Sequence, residues 1–538
     1  MHFFVFLLVS WLNLASATTI AIIDTGFDLD HDFLKPKILT EEVNLSPSLK
    51  EFHGWNFHDN SHLKEPVIKD QSLLQEILLY RNLRAKGHKE GLLPSEFEWF
   101  KKKSADKEFQ DKVKIFKRHS HGTFVAGIAL REGENIQLFP IRGLHIPSPV
   151  IAVNESTANE KVSLKGKNPD EKFHEEIKNS EDRVIKKFSK ICRYLSINKI
   201  DIVNASYGIT FKSINSKFRE KFKEITGKEI EEQRLQNIVK EYFTNIENRT
   251  SKIILKYPRM LFIFSAGNSG INNDEFPHYP SKVRLPNTIS VGAINGEFLA
   301  SFSNYGVKHV DIGAPGVAIL SLVPKVYSHD GHDLYSPSSG TSMAAPYVSN
   351  LAAQILNTNE SLRPQDVKRI IMETGDEKEH LKSKLISGSI VNNHKAIKAA
   401  LLSRDLNLNQ AINLAKTGLI PIEDSISIGQ PQAIGADALE KKVFDTFPKE
   451  ITPQEIDEIQ STNEEFLQPS DLKINKPDNS NRPPSVVPSA QKSDADQAPS
   501  SQNGEQSPQP SEGQTPSSSQ SESQPHQTLD LGTEPSSP

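Results

Sequence analysis

Gly340-Thr341-Ser342-Met343-Ala344-Ala345-Pro346, followed by Tyr347-Val348-Ser349-Asn350-Leu351-Ala352-Ala353-Gln354-Ile355-Leu356, decides how the rest of the chain is read. After Ser342, small and apolar residues recur at helical spacing (Met343, Val348, Leu351, Ala352, Ile355), which predicts a buried helix, and Gly340 permits a tight turn into it. Ser342 then sits at a helix start, where unpaired amide N–H groups and the positive end of the helix dipole favour negative charge. Pro346 is expected in the opening turn, where a missing N–H costs little. A serine at a helix start is by default only an N-cap, so the stretch carries chemistry only if partners exist elsewhere.

Working outward, Thr19-Ile20-Ala21-Ile22-Ile23-Asp24-Thr25-Gly26 is a continuous apolar run ending in a carboxylate and a glycine turn. Apolar on both faces, it reads as a buried strand of a parallel sheet with Asp24 at its carboxyl end, either as a loop cap or as a functional group. His121 is expected at the start of a closely packed helix, His121-Gly122-Thr123-Phe124-Val125-Ala126-Gly127-Ile128-Ala129, where a single histidine is usually a structural hydrogen-bonder. Further strand candidates are Ile136–Arg142, Ile200–Gly208, Leu261–Gly270 with Asn268 in its terminal glycine turn, Ile289–Ala293 and Val317–Ser321. Helical patterns run through Cys192 and across Phe211–Lys256. This alternation predicts an α/β fold: a doubly wound, mostly parallel sheet with helices on both faces. Between Leu29 and Arg118 two amphipathic surface helices are expected, one through Leu73, Leu74, Ile77 and Leu78, the other opened by Pro94-Ser95-Glu96 ahead of Trp99, Phe100, Phe109 and Val113.

The 538 residues carry a net charge of only −5, so no nucleic acid or anionic membrane is indicated as a bulk partner. Cys192 is the single cysteine, which excludes an intrachain disulfide and any Cys-based metal cluster, and its place in a periodic run makes it a core residue rather than a nucleophile. Phe3–Leu14 is apolar and ends in Ala15-Ser16-Ala17, the pattern of a signal peptide cleaved before Thr18, although its n-region offers His2 and no Lys or Arg. No integral membrane segment is expected after that cleavage, because the apolar run is too short to span a bilayer comfortably. From Pro469 to Pro538 the composition turns to Pro, Ser, Gln, Asn, Gly and acidic residues, too polar to offset the entropy of ordering, and a disordered tail is expected. The expected organisation is a signal peptide over 1–17, a catalytic domain over 18–402, an extension over 403–468 and the tail over 469–538.

Asp24, His121, Asn268 and Ser342 each sit where a buried element meets a turn, and together they supply the groups that acyl transfer to water requires. Ser342 would be the nucleophile, His121 its general base and then acid, and Asp24 the group that orients the imidazole. The Asn268 side chain and the Ser342 backbone N–H would donate to the oxyanion. Here the chain resembles the subtilisin-like serine proteases, through the order Asp, His, Ser. The matching motifs are Asp24-Thr25-Gly26, His121-Gly122-Thr123, Val125-Ala126-Gly127, Ser265-Ala266-Gly267-Asn268 and Gly340–Pro346, with Asn204–Gly208, Phe302–Gly306 and Ala314-Pro315-Gly316 as lesser matches. The resemblance covers about Thr18 to Leu402. It implies a secreted endopeptidase in which Ser206, Tyr207 and Gly208 pair with an extended substrate. Ser265, Ala266 and Gly267 would then wall the pocket for the residue before the cut.

No cluster of acidic residues falls in that pocket, so selectivity for basic side chains is not indicated. His119, two residues from the motif histidine, is taken as a bystander. Relatives usually carry an inhibitory propeptide, for which there is no room before Thr19, so the domain is expected to fold without one. The long Asp24–His121 and Ser206–Asn268 intervals are read as surface decoration, with restricted substrate access as the other reading. The expected partners are protein or peptide substrates, and the protein is expected to act as a monomer. The chemistry requires no cofactor; structural calcium is common in the family, but no ligand set is assigned here. Two rivals stay open: a catalytically silent binding or adhesion protein on the same scaffold, and an esterase or peptide ligase using the same groups.

Overall fold

The computed structural model describes residues 17–39, 67–89, 91–142, 167–328 and 334–417. Residues 1–16 of the expected signal peptide, all of the chain beyond 417 and with it the expected tail lie outside them. Among the described residues the strands are β1 (Thr18–Asp24), β2 (Ile136–Arg142), β3 (Ile202–Ala205), β4 (Ile209–Thr210), β5 (Leu261–Ser265), β6 (His278–Tyr279), β7 (Thr288–Asn295), β8 (Phe298–Leu299), β9 (Ile312–Pro315), β10 (Ile319–Val323), β11 (Leu334–Ser338), β12 (Asp376–Glu377) and β13 (Ser389–Ile390). The helices are α1 (Gln71–Lys89), α2 (Pro94–Ala105), α3 (Lys107–Ala129), α4 (Pro169–Ile197), α5 (Phe211–Thr226), α6 (Glu232–Ile254), α7 (Thr341–Thr358), α8 (Pro364–Glu373), α9 (Asn393–Leu402) and α10 (Leu408–Thr417).

The main sheet runs in the order β12-β13-β9-β7-β5-β3-β1-β2, with every pair from β13 to β2 parallel and β12 and β8 added antiparallel. Strand alternation splits the core into two layers. Ile20 and Ile22 of β1 face one apolar cluster with Phe124, Val125 and Val348, whereas Ala21 and Ile23 face another with Phe188, Cys192, Val239 and Phe243. This is the doubly wound α/β architecture expected from the sequence. Cys192 is buried, and that burial pushes its thiol well up, as an inert core residue requires.

Several expectations change. His121 does not start a helix; it lies inside α3, which begins at the Asp106 cap, where the side chain accepts from the Phe109 N–H at 3.0 Å. The buried positions Phe109, Val113, Phe116, Ser120, Thr123 and Gly127 form one unbroken stripe, so the helix expected to end on the surface continues into the site. The segment before it therefore holds α1 and α2, with α3 as a third helix. Nor is α1 decoration: Arg81 is buried, stacks over Phe116 and Phe124, and donates from Nε to Ser336 Oγ at 2.8 Å. Val317–Ser321 contributes not to the main sheet but to a β10–β11 hairpin. Helix α10 lies beyond Leu402, yet Ala411, Ile412 and Ala415 are buried, so the packed body continues to at least Thr417.

Candidate active site

Three neighbouring parallel strands bring the sequence-predicted residues to one edge of the sheet. β1 ends in Asp24, β3 leads into Ser206-Tyr207-Gly208, and β5 leads from Ser265 into Ala266-Gly267-Asn268. Helix α7 starts above them, tied by reciprocal bonds: Ser342 Oγ donates to the Ser206 carbonyl at 3.1 Å, and Ser206 Oγ donates to the Ser342 carbonyl at 3.0 Å. The second bond has a covalent cause. Pro346 is the sixth residue of α7, not part of its opening turn, and it cannot donate to the Ser342 carbonyl four residues back. The Ser206 hydroxyl supplies the missing donor, itself accepting from Asn204 Nδ2 at 3.0 Å.

Asp24 is fully buried, and its carboxylate meets His121 Nδ1 at 2.7 and 2.9 Å while accepting the Thr25 N–H at 2.7 Å. His121 keeps 22% of its side chain exposed, and its Nε2 has no hydrogen-bond partner among the described residues. α3 and α7 both run antiparallel to the strands. Asp24, at the end of β1, holds α3 through His121, and Thr18, at the beginning of β1, donates to Asn357 Oδ1 near the end of α7 at 2.6 Å. The two helices are therefore parallel, and Asn350 Nδ2 donates to the Ala129 carbonyl at 2.9 Å. Ser342 precedes Asn350 by the same eight residues that separate His121 from Ala129. At about 1.5 Å per residue, Ser342 and His121 each lie about 12 Å back along their own helices from that bond. They are not hydrogen-bonded to each other here, because the Ser342 hydroxyl is held by Ser206.

The close approach of α3 to β1 depends on Gly122, where a Cβ would fall 2.1 Å from the Gly26 carbonyl oxygen and 3.2 Å from Asp24 Cβ. Gly122→Ala must push α3 off the strand end. It should lower stability by about 1–3 kcal/mol and weaken the Asp24–His121 contact. Calorimetry showing an unchanged unfolding midpoint would contradict this.

Asn268 is exposed, and its amide orientation is fixed by Thr341, whose backbone N–H and hydroxyl reach Asn268 Oδ1 at 2.8 and 3.0 Å. Its Nδ2 donates to no described residue, and it stands beside the start of α7, where backbone N–H groups lack intrahelical acceptors. The wall Ser265-Ala266-Gly267 is buried and held from behind. Asn273 Nδ2 donates to the Ala266 carbonyl at 2.9 Å, and the Asn304 N–H to that of Gly267 at 2.9 Å. Gly267 has φ +108°, and a Cβ there would meet Asn304 Nδ2 at 2.5 Å, so glycine is required twice over. Ser206-Tyr207-Gly208 belongs to no strand pair among the described residues and leaves Tyr207 and Gly208 half-buried. His119 is buried, with Nδ1 3.0 Å from the Tyr327 hydroxyl. Sequence reasoning missed the supporting Asn273 and the buried His278, which come into place only through tertiary contacts; Asn304 was visible inside the Phe302–Gly306 motif. No group of three or more His, Cys, Asp or Glu side chains able to hold a metal ion gathers among the described residues.

The fold and this edge define an α/β protein with a buried carboxylate bonded to a partly exposed imidazole and, at the same sheet edge, a serine at a helix start. The chain belongs to the subtilase family, whose sequence model matches residues 15–395. It is 35% identical over 147 residues to subtilisin-like protease 2 of Plasmodium falciparum, covering 26% of this chain and 10% of that protein. It is 33% identical over 146 residues to the extracellular basic protease of Dichelobacter nodosus, covering 26% and 23%. With the cell wall-associated protease of Bacillus subtilis it shares 38% over 119 residues, covering 22% and 12%. The matched stretches span less than a quarter of each relative's length. Among the described residues no helix is long and apolar enough to cross a membrane.

Proposed function

We propose that the protein is a secreted serine endopeptidase that hydrolyses peptide bonds through an acyl-enzyme. The observation that carries this reading is the Asp24 carboxylate bonded to His121 Nδ1 at the same sheet edge where Ser206 holds Ser342 at the start of α7. Asp24 accepts the Nδ1 proton and so leaves Nε2 as the base. Rotation of the Ser342 side chain away from the Ser206 carbonyl would release its hydroxyl to that base, a tightening that substrate commonly induces. The carbonyl oxygen of the substrate would take the Ser342 N–H and Asn268 Nδ2, while the substrate backbone pairs along Ser206–Gly208. The names of the Dichelobacter and Bacillus relatives, with the apolar Phe3–Leu14 run before Ala15-Ser16-Ala17, support an extracytoplasmic location. The steps named use protein groups only, and a monomer suffices for them.

Reaction of the purified protein with a fluorophosphonate, located by mass spectrometry, tests the reading. Modification at Ser342 together with casein cleavage is expected; folded protein that does neither is a binding module. Asn268 has two roles to separate. Asn268→Ala removes donor and acceptor, whereas Asn268→Asp keeps the oxygen that Thr341 needs and removes the donor. Both should lower kcat by about 10²–10³-fold. An Asp variant with full activity would reduce Asn268 to a helix cap.

A further inference from the structure

His278 is 4% exposed and lies between the two segments that would flank the substrate. It belongs to β6, paired antiparallel with β4, with Thr210 opposite His278. Its ring rests edge-on against Gly208, where a Cβ would fall 2.0 Å from Cε1 and 2.2 Å from Nε2. The adjoining ring atom, Cδ2, rests against Gly267, where a Cβ would fall 2.9 Å from it. Ser206–Gly208 and Ser265–Gly267 therefore meet at one imidazole, and both lack a side chain where they touch it. The ring is fixed: Ser281 Oγ donates to the His278 carbonyl at 3.0 Å, so the same oxygen accepts from His278 Nδ1 at 2.9 Å. Nε2 is then the bare acceptor of a neutral ring, and burial lowers the imidazole pKa to about 4, which keeps it neutral at physiological pH.

We infer that His278 closes the recess between these two segments and restricts the residue before the scissile bond to small, uncharged side chains such as glycine, alanine and serine. This rests on the protease reading above and adds its selectivity. A phenyl or isobutyl group entering between Gly208 and Gly267 would have to displace a hydrogen-bonded, buried ring. A methyl or hydroxymethyl group would stop short of it. A carboxylate would face the Nε2 lone pair and be repelled, so acidic residues are excluded as well.

The test uses the full mature chain and two tetrapeptide p-nitroanilides that differ only in the last residue, Ala or Phe. The Ala substrate should have the higher kcat/KM by about ten-fold or more. In His278→Gly the Phe/Ala ratio should rise by about ten-fold, because the recess deepens by a whole ring. His278→Asn, which keeps a donor for Ser281 in a shorter side chain, should raise the ratio less and decides the matter if the glycine variant does not fold. A full chain that prefers Phe, or a ratio that stays unchanged in the folded variants, overturns the inference. Fluorophosphonate labelling run in parallel tells the failures apart. Labelled enzyme with an unmoved ratio removes only the role of His278, whereas no labelling and no turnover remove the protease reading and this one with it.

Discussion

Ser342→Ala is expected to reduce peptide hydrolysis by about 10⁴-fold or more while leaving the fold in place. The bland role of this hydroxyl is measurable and small. It donates one hydrogen bond to the Ser206 carbonyl, and its loss should cost about 1 kcal/mol. Ser206→Ala is the matched control. It removes the donor to the Ser342 carbonyl that Pro346 cannot supply, so its stability cost should be at least as large. Its activity loss should be far smaller, because the Ser342 hydroxyl and the Asp24–His121 pair stay in place. Equal activity losses in the two variants would make Ser342 a structural serine. Casein turnover and the thermal midpoint of both variants, measured together, separate the cases.

What could be read from the sequence follows from the kind of signal each element leaves. β1, β3 and β5 are short runs apolar on both faces that end in polar or glycine turns, a local pattern that placed Asp24, Ser206 and Asn268 at strand ends. The start of α7 was legible because Gly340 and the small residues after it leave few other conformations. The upstream extent of α3 was not. Its first turns, Lys107 to Arg118, are charged on one side, and only burial against Tyr327 and α1 makes Phe109, Val113 and Phe116 part of the stripe that ends at His121. Pro346 misled for a related reason: sequence shows that the N–H is missing, not that a serine 140 residues earlier supplies the donor. β6 is two residues long and carries no period of its own, so His278 could be found only once Gly208 and Gly267 were seen to close on it. Elements fixed by local pattern were read correctly. Those fixed by a distant neighbour were not.

The insertions also look different in structure. Restricted access and decoration were the two readings of the long Asp24–His121 interval, and the packing of α1 suggests a third use. Arg81 reaches from α1 across the rings of Phe116 and Phe124 to β11, the strand that leads into Gly340. The inserted helix thus braces both the helix bearing His121 and the hairpin before Ser342, which is a scaffold role.

Asp24→Asn should lower kcat/KM at neutral pH by about 10⁴-fold with the site geometry retained. The reason lies in which proton the imidazole carries. The carboxylate can only accept, so it fixes the proton on His121 Nδ1 and leaves the Nε2 lone pair for a serine proton. An asparagine oxygen would take over the Thr25 N–H, whose bond to Asp24 Oδ1 is 2.7 Å, and turn its amide N–H toward Nδ1. The proton then moves to Nε2, and the base is lost. Geometry should survive because α3 is also held at this strand end by two bonds whose acceptors are not the carboxylate. Thr25 Oγ1 donates to the Arg118 carbonyl at 2.8 Å, and the Asp28 N–H donates to Thr123 Oγ1 at 3.0 Å. Nitrogen chemical shifts of His121 read the tautomer directly, independently of rate. A variant that keeps Nδ1 protonated and loses only a few-fold in rate would show that Asp24 merely caps the loop after β1. A variant with the proton on Nε2, a native-like unfolding midpoint and almost no turnover would place the carboxylate in the reaction.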